Sequence, residues 1–164
     1  MSVGLSFAEL LTWNDEASAF WKKHLETHSE LLALPCGIGG AKDVQALVKH
    51  VWAADLRWAQ RLAGVPEIAK EAVPEGPVHA LYGLHEQASA IYHELLTRPA
   101  EIWEESYTLN TSALPGPITM SRRKVMGHAL LHGQRHWAQL ATLVRNAGFP
   151  SDFRGDFLFS KALR

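Results

Sequence analysis

Apolar residues recur every three or four positions through four long segments, and proline or glycine separates each segment from the next. That spacing is the period of an α-helix; a strand face repeats every two residues. The first segment spans about 6–34. Ser6 followed by Glu9 has the form of a capping box, and Leu10, Trp13, Ala17, Phe20, Trp21, Leu25, Leu31 and Leu32 form its apolar stripe. Pro35 and the glycines at 37, 39 and 40 break it. The second spans about 43–62, with Val44, Leu47, Val51, Ala54, Trp58 and Leu62 on its buried side, and Gly64 and Pro66 end it. The third spans about 78–97 and stops before Pro99. The fourth starts at a cap on Ser121, carries Val125, Ala129, Leu140 and Leu143, and runs to Asn146, with Gly148 as its stop.

Four amphipathic helices of about 20 residues predict an all-α four-helix bundle, with residues 1–164 as one domain. The stretch 100–120 carries Thr108, Asn110, Thr111, Ser112, Pro115, Gly116 and Pro117. It predicts a long irregular loop before the last helix, with a short extended piece at 106–109. The long connections around the third helix leave room for a crossover between non-neighbouring helices. Phe149, Phe153, Phe157 and Phe159 crowd the C-terminal tail. So many aromatics predict a tail packed on the body or on a second subunit.

The histidines carry the functional signal. The 164 residues include nine of them, with a net charge of -1 and a single cysteine, Cys36. That balance gives no basic field for nucleic acid. No apolar run reaches the roughly 18 residues a membrane span needs. The lone cysteine excludes an intramolecular disulfide, and the first residues lack the pattern of a signal peptide. The expected location is therefore the cytoplasm.

His132 and His136 lie one helical turn apart on the apolar stripe of the fourth helix, so both imidazoles project from one side. Polar groups in a buried seam need partners. Two imidazoles one turn apart are ready-made metal ligands, and His50, at the border of the second helix's buried stripe, is the best third. Three neutral imidazoles suit zinc or nickel and leave positions open for water or substrate. The competing reading is a core of hydrogen-bonded histidines with no metal. His128 drifts off the seam by a further turn; it could stand behind a ligand or at the pocket rim. His24 and His28 repeat the four-residue spacing among Lys22, Lys23, Glu26 and Glu30, which predicts a solvated helix face. His79, His85 and His93 stand among polar residues and are expected at the surface, with His85 and Glu86 the ones that could approach a pocket. Asp55 is off the face of His50; it could orient a ligand or bind Arg57 or another basic group, with a surface ion pair as the default. Arg57 and Arg61 could meet an anionic substrate, with solvent exposure the default. Trp52, Trp58 and Trp137 are expected in the core or lining an apolar pocket. No phosphate-binding glycine loop, nucleophile elbow or Glu-x-x-His diiron motif is present.

Two runs carry a family resemblance. One is His50-Val51-Trp52-Ala53-Ala54-Asp55-Leu56-Arg57-Trp58. The other is His128-Ala129-Leu130-Leu131-His132-Gly133-Gln134-Arg135-His136-Trp137-Ala138-Gln139. With them the chain resembles the DinB/YfiT-like family over nearly its whole length. The family's late-helix pattern is His-x-x-x-His-x-x-His-His-Arg-Gly-Gln. This chain keeps the histidines at 128, 132 and 136 and the glutamine at 139. It has Arg135 in place of a histidine and Trp137-Ala138 in place of Arg-Gly. The resemblance implies an up-down-down-up bundle, often a homodimer, with a divalent metal on His50, His132 and His136. Some relatives are transferases or isomerases that use low-molecular-weight thiols, so the resemblance implies a metal-dependent thiol S-transferase; a metal-assisted hydrolase is the related reading. The alternative is a non-catalytic metal- or ligand-binding, stress-related bundle.

Overall fold

The computed structural model describes residues 4–110, 115–149 and 151–162. Among them are four α-helices: α1 (Phe7–Thr27), α2 (Val44–Ala63), α3 (Val78–Leu96) and α4 (Arg122–Asn146). Two short strands, β1 (Ser106–Leu109) and β2 (Ile118–Ser121), precede α4. The chain folds as an all-α four-helix bundle.

Each helix begins and ends where local chemistry dictates. Ser6 and Glu9 form the reciprocal capping box at the start of α1. The Asp43 side chain accepts from the Ala46 amide, and the Ser121 hydroxyl accepts from the Lys124 amide. Each satisfies an amide with no partner inside the helix. Gly64 closes α2 in the left-handed region at φ 75°, which costs glycine nothing.

Side-chain pairs fix the helix directions. Gln45 bonds Gly76, Trp52 meets Tyr82 and Asp55 meets His85, so α2 and α3 run parallel. Gln134 bonds the Trp13 carbonyl and Trp21 stacks on Trp137, so α1 and α4 run parallel. His50 meets His136 while Trp58 meets His128, so α2 and α4 are antiparallel. Lys22 lies over Tyr82 while Ser89 bonds Asp15, so α1 and α3 are antiparallel as well. The result is up-down-down-up. α2 packs mainly on α3 and α4, and α1 does the same from the opposite corner.

That layout explains where α1 stops. The expected helix to Leu34 ends at Thr27, because the chain must cross the bundle to reach α2. His28 leaves helical geometry at φ -123°, ψ 63°, and Ser29–Ala33 continues as a tighter 3-10 turn that buries Leu31 completely. On α2 the buried face is centred on Val48, Trp52, Leu56 and Ala59, and Ala54 and Trp58 are only half-buried. Trp21, Trp52 and Trp137 form the centre of the core, with ring separations of 6.0 and 5.7 Å around Trp137.

The expected irregular loop before α4 is in part a hairpin. β1 pairs antiparallel with β2 in the register Ser106↔Ser121 to Leu109↔Ile118, and Thr108 and Thr119 share a hydroxyl hydrogen bond of 3.0 Å. β-branched Ile118 and Thr119 favour the extended state that the neighbouring prolines and glycine obscure. Thr111 and Ser112 of that loop lie outside the described residues. The tail packs as expected: Phe153 lies 5.2 Å from both Phe20 and Trp21, and Phe157 lies 5.4 Å from Trp13. No helix among the described residues is long and apolar enough to cross a membrane.

Candidate metal centre

The antiparallel pairing of α2 with α4 brings His50 against the turn that carries His132 and His136. The ring centroids of His50 lie 5.3 Å from those of both partners, and His132 and His136 are 4.7 Å apart. One nitrogen from each ring falls within 4.8 Å of the others. Tetrahedral bonds of about 2.0–2.1 Å would set the nitrogens roughly 3.4 Å apart, a difference within reach of small ring rotations. His136 is buried, His132 half-buried and His50 exposed, so the cluster opens to solvent on the α2 side.

Hydrogen bonding decides which nitrogen of His136 is available. The Gln139 carbonyl oxygen lies 2.8 Å from Nδ1. A carbonyl can only accept, so Nδ1 carries the hydrogen and Nε2 keeps its lone pair. This outer hydrogen bond is what a metal-ligating histidine ordinarily has. In this structure the Nε2 lone pair accepts from Arg135 Nη2 at 3.1 Å.

All three rings are held in the neutral form. Burial, the neighbouring histidines and Arg135 push His132 down to about 3. Burial, then Arg135 and Arg57, lower His50. Burial and Arg135 lower His136 against the opposing bond from Gln139. Neutral imidazole is the form that ligates. The donor set, its tautomer and its charge all fit a divalent ion.

The surroundings complete the centre. The glycine-rich turn after Cys36 lies over His136: a Cβ on Gly39 would stand 3.6 Å from its Cε1. Gly39 adopts φ 58°, so this close cover needs glycine for backbone reasons. His128 sits at the rim as expected, 5.8 Å from His132 and 5.0 Å from Trp58, outside the three-nitrogen cluster. Trp52 and Trp137 belong to the core.

Three expectations need correction. His85 is not at the surface; it is 2% exposed. Asp55 is not in a surface ion pair either; it is buried, with its Oδ2 2.8 Å from His85 Nδ1 and its Oδ1 accepting from the Tyr92 hydroxyl at 3.1 Å. Asp15 Oδ1 lies 3.2 Å from His85 Nε2, at an angle short of a hydrogen bond. Burial opposes a charged His85, but the two carboxylates outweigh it and raise it to about 9. The local sequence around His85 is polar, and only the fold brings the carboxylates to it. His24 is the third correction: it stacks on Phe20 at 5.6 Å and is half-buried rather than on a solvated face. Arg61 is taken up by a two-pronged pair with Glu67, at 2.6 Å for each bond.

The fold and the site together define a helical bundle with three histidines positioned for a metal ion. The sequence model of the DinB family matches residues 1–153, and the chain belongs to that family. No curated protein matches the chain.

Proposed function

We propose that this protein is a divalent-metal-dependent enzyme whose ion is held by His50, His132 and His136 and whose reaction is thiol S-transfer. The observation that carries the reading is the cluster itself: three neutral imidazoles from facing helices, nitrogens within 4.8 Å, open on the His50 side. Three protein ligands leave coordination positions for a reactant, whereas purely structural zinc sites close all four. An all-nitrogen set suits zinc or nickel. A divalent ion there would supply the charge that lowers the pKa of a thiol bound to it. The chain's own residues do the rest. Gln139 fixes the His136 tautomer, the glycine turn covers the buried side, and the α2 side admits the reactant. The resemblance to thiol-using relatives supports the reaction class, and it supports action as a homodimer. The single cysteine supports a cytoplasmic setting.

The test is to purify the protein, measure metal content, and incubate it with a low-molecular-weight thiol and a generic electrophile, with and without added zinc or nickel. Close to one ion per chain and metal-dependent conjugation that His132→Ala abolishes are expected. Equal rates for wild type and His132→Ala overturn the enzyme reading. Tight metal binding without conjugation would support a sequestration protein instead.

A further inference from the structure

His50, on the open side of the cluster, also lines a cleft of about 470 Å³. Its α2 wall is one continuous helical face: Ala46, Lys49, His50, Ala53 and Arg57, at spacings of three and four. The opposite wall comes from the 3-10 turn Lys70–Ala72 and the residues after it, with Lys70, Glu71, Val73 and Glu75 lining it, so two cations and two carboxylates flank the arginine there: Lys49 and Lys70 against Glu71 and Glu75. Lys49 is paired with Glu75. Arg57 stands two turns beyond His50 on the same face. Its Nε donates to the Ile68 carbonyl at 3.3 Å, which anchors the guanidinium without neutralising it. Among the described residues no carboxylate pairs with Arg57.

Arg135 stands on α4 outside that lining, beside the cluster, and its charge, like that of Arg57, acts on His50. It is exposed, has no carboxylate partner among the described residues, and donates from Nη2 to His136 Nε2. That nitrogen is the one His136 would give to a metal. Once the lone pair is taken, Arg135 loses its acceptor and is left beside the centre with unused donors. Three neutral ligands would also leave the ion's charge uncompensated, and two unpaired guanidiniums add to it. A guanidinium's planar fork matches a carboxylate in two parallel hydrogen bonds.

We propose that Arg57 and Arg135 form an anion-binding subsite at the mouth of the three-histidine centre, which selects small reactants bearing a carboxylate. The proposal rests on the metal-thiol reading above and adds the substrate class.

Two thiols of similar size separate the possibilities: 3-mercaptopropionate, which carries a carboxylate, and 2-mercaptoethanol, which does not. Each is titrated into the full-length protein saturated with cobalt, and binding is followed by the cobalt absorption spectrum. Wild type is expected to bind 3-mercaptopropionate at least about tenfold more tightly. Arg57→Gln and Arg135→Gln should each cut that preference to roughly threefold or less, with 2-mercaptoethanol binding nearly unchanged. Arg98→Gln, remote on the end of α3, should keep the full preference. Equal binding of the two thiols to wild type overturns the proposal, as does a preference that survives in both cleft variants. Arg135 is exposed, so its variant remains informative should Arg57→Gln fold poorly. If no thiol perturbs the cobalt spectrum, the metal-thiol reading fails on its own. The subsite is then decided with propionate on the cobalt-saturated protein, in which Arg135 is released from His136. Thermal stabilisation of wild type but not of an Arg57→Gln/Arg135→Gln double variant supports it, and no stabilisation of wild type overturns it.

Discussion

Gln139 accepts the Nδ1 hydrogen of His136 at 2.8 Å, and this single contact decides that Nε2 is the nitrogen facing the cluster. The two residues lie one turn apart on α4, so the helix itself sets the contact. Replacing the glutamine with leucine keeps the helix and removes the acceptor. Gln139→Leu should weaken zinc binding by about 10–100-fold, the usual effect of losing a hydrogen bond behind a metal-ligating histidine. Competition with a chromophoric chelator measures it, and an unchanged circular dichroism spectrum would show that the fold is intact. Affinity equal to wild type would mean that the tautomer is set elsewhere.

His85 lies on the other side of α2 from the metal centre and contributes stability with its own pH dependence. Its folded-state pKa, about 9, is above the ordinary value of 6.5. The folded protein therefore holds a proton between those values that the unfolded chain has released. The stabilisation is fully present below about pH 6.5 and is lost as pH rises through about 9. His85→Leu removes this dependence and leaves Asp55 buried without its charged partner, which costs roughly 3–5 kcal/mol. Urea unfolding between pH 6 and 10 should show wild type losing stability across that window and the variant starting low and staying flat. A wild-type profile that is flat from 6.5 to 9 would contradict a protonated His85.

The helices, their caps and the three-histidine cluster were legible because each rests on short-range pattern. Ser6 and Glu9 cap each other, Gly64 needs a positive φ, and four-residue spacing puts His132 and His136 on one side. What was hidden depends on chain segments far apart in sequence. Nothing local marks His85 as buried, since its partners Asp15 and Asp55 come from two other helices. The early end of α1 follows from the need to cross the bundle, which the stripe through Leu31 and Leu32 does not reveal. β2 was hidden because Pro115, Gly116 and Pro117 mask its β-branched residues and its pairing partner lies across the loop. Arg135's bond to His136 was equally out of view: adjacent residues on a helix do not face each other, and only the side-chain conformations bring them together.

Gly133 sits between the two α4 ligands and faces Asn14 of α1. A Cβ built there falls 3.0 Å from Asn14 Oδ1 and 3.8 Å from Val51 Cγ1. Alanine gains about 1 kcal/mol of helix propensity over glycine, which offsets most of the cost of moving Asn14. Valine adds two methyl groups to a full space, and overpacking of that kind costs typically about 1–3 kcal/mol. Gly133→Ala should therefore be close to neutral and Gly133→Val clearly destabilised. Valine should also displace His132 and weaken zinc binding, while alanine should not. Urea midpoints and chelator competition on the two variants check both statements, and a well-tolerated valine would show that α4 can move away from α1.

Metal-free protein should be acid-sensitive because of His132. Its folded-state pKa is pushed down to about 3, by burial first and then by His136, His50 and the nearby arginine. The unfolded chain takes up a proton as pH falls through about 6.5, and the folded chain does not until about 3. Stability is therefore lost steadily as pH falls across that window, with a slope of up to about 1.4 kcal/mol per pH unit for one fully differing proton. The lowered pKa values of His50 and His136 act in the same direction. The check is thermal unfolding in excess chelator from pH 7 to pH 4. Wild type should lose melting temperature over that range, and His132→Ala should lose distinctly less. The lowering of His50 and His136, which comes first from burial and Arg135, remains in that variant. If the variant and wild type fall in parallel, His132 is protonated in the folded protein at mild pH, and the neutral donor set assigned to the centre is wrong.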